Sequence, residues 1–336
     1  MTRLPWPLVF QLVAVAAAVW LLTITWAVWL LAFTALIVAA AILPAARMGE
    51  RYRVPRGITV VVVYLVSAGV LVLMARLLWP ALSEQWQQFV AQLPRLLDNV
   101  RGWLGNLDVY LEQWGASLPS PKSGNVEGLL GALVQNTLRV TAGVVGAVVG
   151  FLAILVIAAY IVVDAERLGR GVLELLPPKQ RPVAAQLGEP IMRRIGSYVL
   201  GQIAASLCVG LVLAVGLSLL GVRYALLIGA LAAVLNVVPF VGSWIAALLG
   251  ILSALNESPA LAVGTALLFW GTNVFEGKVL VPQLVGRATG LHPLAVLLAL
   301  FIGVHLAGLI GALVAVPFLA AVWEVVRTLY VTPRRS

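Results

Sequence analysis

Polar residues are sparse along this chain, and the places where they interrupt apolar runs predict its elements. Apolar character runs from Leu8 to Leu43, with single polar residues at Gln11 and Thr34 and the one close pair of them at Thr23 and Thr25. As one helix this stretch would reach about 54 Å, against about 30 Å of bilayer hydrocarbon, so two short spans joined near Thr23–Thr25 are expected. Further spans are expected at Gly57–Trp79, Val140–Val163, Val199–Leu220 and Ala260–Phe275. Two stretches, 223–255 and 291–325, read instead as broken helices. Gly221 is followed after fifteen positions by Asn236 and after six more by Gly242; Gly290, His305 and Gly311 repeat that spacing. Helices broken at mid-membrane place polar groups inside a bilayer, and their tips must face protein or a water-filled cavity.

Between the spans, the 80–136 segment continues an apolar stripe that starts at Trp79 and recurs at Leu82, Trp86, Phe89, Leu93, Leu96, Val100, Trp103, Leu107, Leu111, Trp114 and Leu118, a three-and-four spacing that predicts an amphipathic helical arm. Pro94 is expected to kink this arm or to begin a second helix. The apolar stripe suits an oligomer contact as well as packing on its own subunit.

Composition fixes the class. Of 336 residues 62% are hydrophobic and 10% charged, and mean hydropathy is +1.04, far from a soluble chain with about 25% charged residues. The expected fold is an all-α polytopic membrane protein with about five to eight transmembrane helices, two broken or re-entrant hairpins in an inverted repeat, and an external arm. The net charge of +9 reports topology, not a nucleic-acid partner, because the basic residues cluster in short segments between apolar runs. Arg47, Arg51, Arg53 and Arg56, then Arg167, Arg170, Lys179, Arg181, Arg193 and Arg194, put 44–57 and 164–198 in the cytoplasm by the positive-inside rule; both termini follow, and 80–136 lies outside. The resulting organisation is 1–79 N-terminal helices, 80–136 arm, 137–198 span and cytoplasmic segment, 199–326 transport core, and 327–336 basic tail. Cys208 stands alone, so no intrachain disulfide forms.

The chemistry is that of a carrier. Asn236 and His305 hold corresponding positions in the two broken segments, and Gln202 and Asn273 on the preceding spans are candidates to complete a substrate-binding cluster. Pro239 and Gly242 in the first segment, and Gly308, Gly311 and Pro317 in the second, are the candidate hinge or hairpin residues. Glu276 shares a helix face with Asn273, and a carboxylate partly removed from water gains proton affinity, which makes it the candidate for ion coupling; the competing reading pairs it with Lys278 or Arg287. Glu324 is expected to pair with Arg327. Ser243 with His305 could form a hydrolytic dyad, but no nucleophile elbow, metal-site helix motif or phosphate loop accompanies them, so an enzyme is not expected, nor a cofactor, a bound metal or intrinsic ATP drive.

Several of these segments also carry a resemblance. Asn236–Gly242 (NVVPFVG), Glu276–Pro282 (EGKVLVP), Gly290–Leu294 (GLHPL), Gly308–Pro317 (GLIGALVAVP), and the earlier Asp164–Arg167 (DAER) and Leu176–Pro178 (LPP) keep the order and spacing of the autoinducer-2 exporter-like, or PerM-like permease, family. The resemblance covers nearly the whole chain. It implies a homo-oligomeric inner-membrane carrier of bacteria or archaea. It does not imply one substrate, since members include an exporter of a signalling furanone and sodium or lithium ion/proton antiporters. The expected function is export of a small polar solute driven by a proton or sodium gradient through alternating access; a cation antiporter or a passive channel is the alternative.

Overall fold

The structure, a computed structural model, describes residues 23–112, 148–239, 241–285 and 292–331, with a few single positions besides. The first N-terminal span, the arm beyond Glu112, Arg287, the Gly290–Leu291 half of its motif and the last five residues of the basic tail lie outside the described residues. Those described are helical, without a β-strand among them. Four of the described helices are long and apolar enough to cross a bilayer, or five when a bent pair is counted as one span. The chain is an all-α polytopic membrane protein, and it divides into two compact units: 1–60 with 144–196 and 293–336, and 61–143 with 197–292.

In the first unit, α1 (Trp26–Arg51) begins directly after Thr25, whose hydroxyl donates to the Leu21 carbonyl at 2.6 Å and accepts from the Trp29 indole at 3.0 Å. Thr25 is a bend, yet the backbone bonds Thr25 N to Leu21 O at 2.9 Å and Trp29 N to Thr25 O at 3.2 Å carry the helical ladder through it, and the span expected before it lies outside the described residues. The expected 44–57 loop is shorter than its charges suggest: α1 continues through Pro44, Arg47 and Glu50, and only Tyr52–Pro55 connects it to the next helix. Ala45, Ala46, Arg47 and Met48 are strong helix formers, so the helix runs on past the apolar stretch. Its buried face is built from small residues, Ala35, Ala39, Ala40 and Ala46 among them, and a Cβ at Gly196 would strike the Ala40 carbonyl. This is the close backbone approach that small residues permit in membranes.

Helix α2 (Arg56–Glu112) holds the expected span and the described part of the arm in one 57-residue element that passes through Pro80 and Pro94. Pro94 therefore does not begin a second helix. Helix α3 (Val148–Val163) meets α4 (Ala165–Glu174) at a bend of 81°. Helix α5 (Arg181–Leu220) runs 40 residues, so the second half of the expected cytoplasmic 164–198 segment is continuous with the following span.

In the second unit, α6 (Ala225–Leu235) and α7 (Val241–Leu255) form the first hairpin. At 11 and 15 residues they reach about 17 and 23 Å, too short to cross about 30 Å of hydrocarbon separately. Gly242 closes the tip: a Cβ there would collide with the Asn236 nitrogen and the Leu235 carbonyl carbon. The described arm packs on this hairpin, with Phe89 edge-on to Tyr224 at 5.5 Å and Gln85 Oε1 accepting from the Leu227 amide at 2.9 Å, one of the donors a helix start leaves free. That face of the arm is intrasubunit, while Trp79 and Trp86 remain exposed. Helix α8 (Pro259–Phe275) is capped by Ser258, whose hydroxyl accepts from Leu261 N at 3.1 Å, with Pro259 in the first turn, and it widens into a π-helix at Glu276–Val285.

The second hairpin belongs to the first unit. Helix α9 (Pro293–Val326) breaks at Ala307 and Gly308, the latter at φ 57°, ψ −137°, a conformation that side chains exclude. A Cβ at Gly303 would meet the Gly311 carbonyl and the Ala315 side chain, residues that a straight helix would hold about 12 and 18 Å away. The helix folds back on itself at Gly308.

Candidate functional site

The tip of the first hairpin carries the site. Asn236 ends α6, and its backbone carbonyl, left without a helical donor, accepts from Gln202 Nε2 of α5 at 2.7 Å. Its side-chain amide donates to Glu276 Oε1 at 2.7 Å. Ser243, one turn into α7, has its hydroxyl 3.2 Å from Asn236 Oδ1 and 3.5 Å from Glu276 Oε2, and it donates to one of them at a time. Asn236 is fully enclosed, and Ser243, Gln202 and Glu276 are each no more than 9% exposed.

Four elements thus supply one side chain each. Glu276 is placed by the change from α8 to the wider π-turn, where such insertions are frequent at functional sites. Its partners are neutral, and no basic group pairs with it among the described residues. Lys278 is exposed, and the partners of Glu276 among the described residues are Asn236 and Ser243; Arg287, the other partner of the competing reading, lies outside the described residues.

The other sequence-derived candidates sit differently. The amide of Asn273 turns back to the Phe269 carbonyl of its own helix at 3.0 Å. His305 lies in the first unit, exposed, two residues before the α9 break. Ser243, the nucleophile of the hydrolytic dyad weighed above, is engaged by Asn236 and Glu276. Pro239 lies in the turn at the first tip, Gly308 is the break of the second, Gly311 packs on Gly303 across it, and Pro317 is buried in the returning arm. Glu324 departs from expectation. It faces Arg194 of α5 at 2.5 Å, as an ion pair without hydrogen-bond alignment, both side chains nearly buried, instead of Arg327.

Ser243 was not legible as a member of this cluster, because a serine beside a glycine in an apolar helix is commonplace; only its position one residue past the hairpin closure pointed to it. No group of three or more acidic, histidine or cysteine side chains suited to a metal ion occurs among the described residues. Two cavities lie among the described residues of the first unit. One, of about 670 Å³, is an apolar groove between Trp26, Trp29, Phe33 and the folded α9 at Ile302, Gly303 and Phe318; the other, of about 430 Å³, lies beside Arg56 and Arg167. Neither is lined by a residue of the network.

Two hairpins inside a set of apolar spans, one of them carrying a buried polar cluster, define the class of polytopic membrane transporter. The family model for the AI-2E family transporter matches residues 8–330, and the chain belongs to that family. It is 24% identical over 296 residues to YueF of Bacillus subtilis (strain 168), covering 83% of this chain and 78% of the relative. It is 25% identical over 293 residues to YrrI of the same organism, covering 84% and 81%. The AI-2 transport protein TqsA of Escherichia coli (strain K12) is 27% identical over 291 residues, covering 84% and 80%. The chain is therefore a membrane transport protein and not an enzyme.

Proposed function

We propose that this transporter exports a small polar solute across the bacterial inner membrane by alternating access, driven by a proton or sodium gradient, with Glu276 as the coupling carboxylate. The observation that carries this reading is the enclosure of Glu276 among Asn236, Ser243 and Gln202 at a hairpin tip without a basic partner among the described residues. Loss or gain of one proton or one small cation changes the charge of that cluster and so its tolerance for burial, which is what couples an ion to a conformational change. Amide and hydroxyl groups suit a polar, weakly charged solute better than a large apolar one. AI-2 heads the panel of solutes because of the name carried by the TqsA relative. The cytoplasmic termini, the inverted arrangement of the two hairpins and homo-oligomeric assembly through the exposed Trp79 and Trp86 of α2 belong to the same reading.

The test is transport by purified protein in liposomes against a panel of small polar solutes, with proton and sodium gradients imposed singly. Solute efflux that accelerates under one gradient supports the reading. Proton release on a sodium pulse without any solute identifies a cation antiporter working through the same carboxylate. Flux indifferent to both gradients identifies a passive channel and overturns the coupling role of Glu276.

A further inference from the structure

A second site lies in the first unit, where α3 gives way to α4. Three observations meet there. First, α4 (Ala165–Glu174) bends 81° away from the apolar α3, so if α3 runs across a bilayer, α4 runs along its surface. Second, α4 buries none of its residues within the protein, yet Leu168, Val172 and the adjoining Leu175, at helical spacing, are 48%, 60% and 86% exposed. An amphipathic helix of that kind lies in the plane of the interface with its apolar face among acyl chains. Third, the start of α4 borders a cavity of about 430 Å³ lined by Pro55, Arg56, Gly57, Val163, Asp164, Glu166, Arg167 and Arg170.

The arginines of that cavity are not equivalent. Arg56 is held by two carboxylates, with Nε on Glu50 at 2.5 Å and Nη2 on Glu166 at 2.7 Å, which fixes its guanidinium against the wall and occupies Glu166. Arg170 spends only Nε, on the Glu166 carbonyl at 3.4 Å. Arg167 has no ion-pair partner among the described residues, and both Arg167 and Arg170 are exposed. Asp164 is the one lining carboxylate not paired with an arginine. At the other end of α4, Arg181 donates to the carbonyls of Leu176 and Glu174, both at 3.0 Å, pinning the C-terminal turn. The helix is anchored at both ends, while its apolar stripe stays exposed and neither Arg167 nor Arg170 has an ion-pair partner among the described residues.

We propose that α4 is an interfacial helix and that the cavity beside it binds the phosphate headgroup of an anionic phospholipid, with Arg167 and Arg170 as the phosphate ligands and Leu168, Val172 and Leu175 resting on the acyl chains. The occupant follows from the placement: a surface that joins an apolar stripe to exposed guanidiniums, at the end of a membrane span, matches a lipid carrying a negative headgroup. The site does not depend on the substrate or the coupling ion of the transporter.

The experiment uses the full chain in detergent, with retained phosphatidylglycerol and phosphatidylcholine compared by native mass spectrometry. The protein is expected to retain phosphatidylglycerol preferentially, and Arg167→Gln with Arg170→Gln to weaken that retention by roughly tenfold or more. Arg167→Lys with Arg170→Lys should keep most of it, which separates charge loss from misfolding. Equal retention of both lipids, or an unchanged preference in the glutamine variant, overturns the proposal. Displacement of the lipid by millimolar inorganic phosphate also overturns it, because the cavity is then a free-phosphate site. Independently, Leu168→Cys in a Cys208→Ala background, labelled with an environment-sensitive fluorophore and placed in vesicles, should be quenched by lipids brominated on their acyl chains. An unquenched label removes α4 from the interface.

Discussion

The side-chain amide of Asn236, at the tip of the first hairpin, donates to Glu276 Oε1 across 2.7 Å, joining the end of α6 to the first residue of the π-helix that follows α8. Forty residues of chain separate the two. The bond places the one break in an otherwise apolar hairpin against the one carboxylate buried in that unit among the described residues, so the tip cannot move without altering the surroundings of the charge.

Replacing Asn236 should therefore cost both stability and transport. Asn236→Leu removes the donor to Glu276 and the partner of Ser243, at about 1–3 kcal/mol for the groups left unsatisfied. Chemical unfolding in detergent measures that loss, and combination with Glu276→Gln should recover part of it, since the neutral amide needs the Asn236 donor less. Strict additivity of the two substitutions would dissociate the pair.

The glycines at the two hairpins should be intolerant where others are not. Gly242→Ala drives a methyl into the backbone of Leu235 and Asn236, and Gly308→Ala forces a side chain into φ 57°, each expected to cost about 1–3 kcal/mol. Gly271→Ala, with open space around it, is the control and should leave the melting temperature unchanged or slightly raised. Equal melting temperatures for all three would contradict both the close approach at Gly242 and the backbone constraint at Gly308.

The ion pair of Arg194 with Glu324 predicts a different pattern. Both side chains are nearly enclosed, so Glu324→Gln or Arg194→Gln alone should lower stability by about 3–5 kcal/mol by stranding the remaining charge. The exchanged pair, Arg194→Glu with Glu324→Arg, should recover a large part. Thermal unfolding of the three variants checks this, and a mild effect of each single substitution would assign the charges to solvent.

Orientation is checked by labelling. With Cys208→Ala as background, Lys179→Cys should react with an impermeant thiol reagent from the cytoplasmic side, as the loop charges require, and Glu257→Cys, next to the Asn256 that bonds Asn99 of the external arm, from the opposite side. Reaction of both from one side contradicts the topology.

How much of this was legible in the sequence varies by residue, for physical reasons. Both hairpins could be read, because a glycine, a polar side chain and a proline inside a long apolar run leave backbone groups that a continuous span would have paired. Helix ends could not be read from charge: Arg47 and Arg51 sit on α1 and Arg193 and Arg194 on α5, since a helix former that leaves the membrane keeps its helix in water. Local spacing suggested Glu324 with Arg327 and, as the competing reading, Glu276 with Lys278 or Arg287, yet among the described residues both carboxylates have distant partners, Arg194 and Asn236, that only the packing of separate helices brings near. The same limit hid Ser243 from the candidate cluster. His305 shows the reverse: it matches Asn236 in spacing, but the second helix breaks two residues beyond it, at Ala307–Gly308, and its side chain is exposed.

The coupling role of Glu276 is the central claim, and Glu276→Gln in proteoliposomes tests it most directly. The amide keeps the shape and a hydrogen-bonding oxygen for Asn236 but removes the titratable charge. Under the gradient that accelerates flux through the unaltered protein, the variant should fold, insert and show flux that no longer responds to the gradient. A variant whose flux follows the imposed gradient as the unaltered protein does would contradict the account.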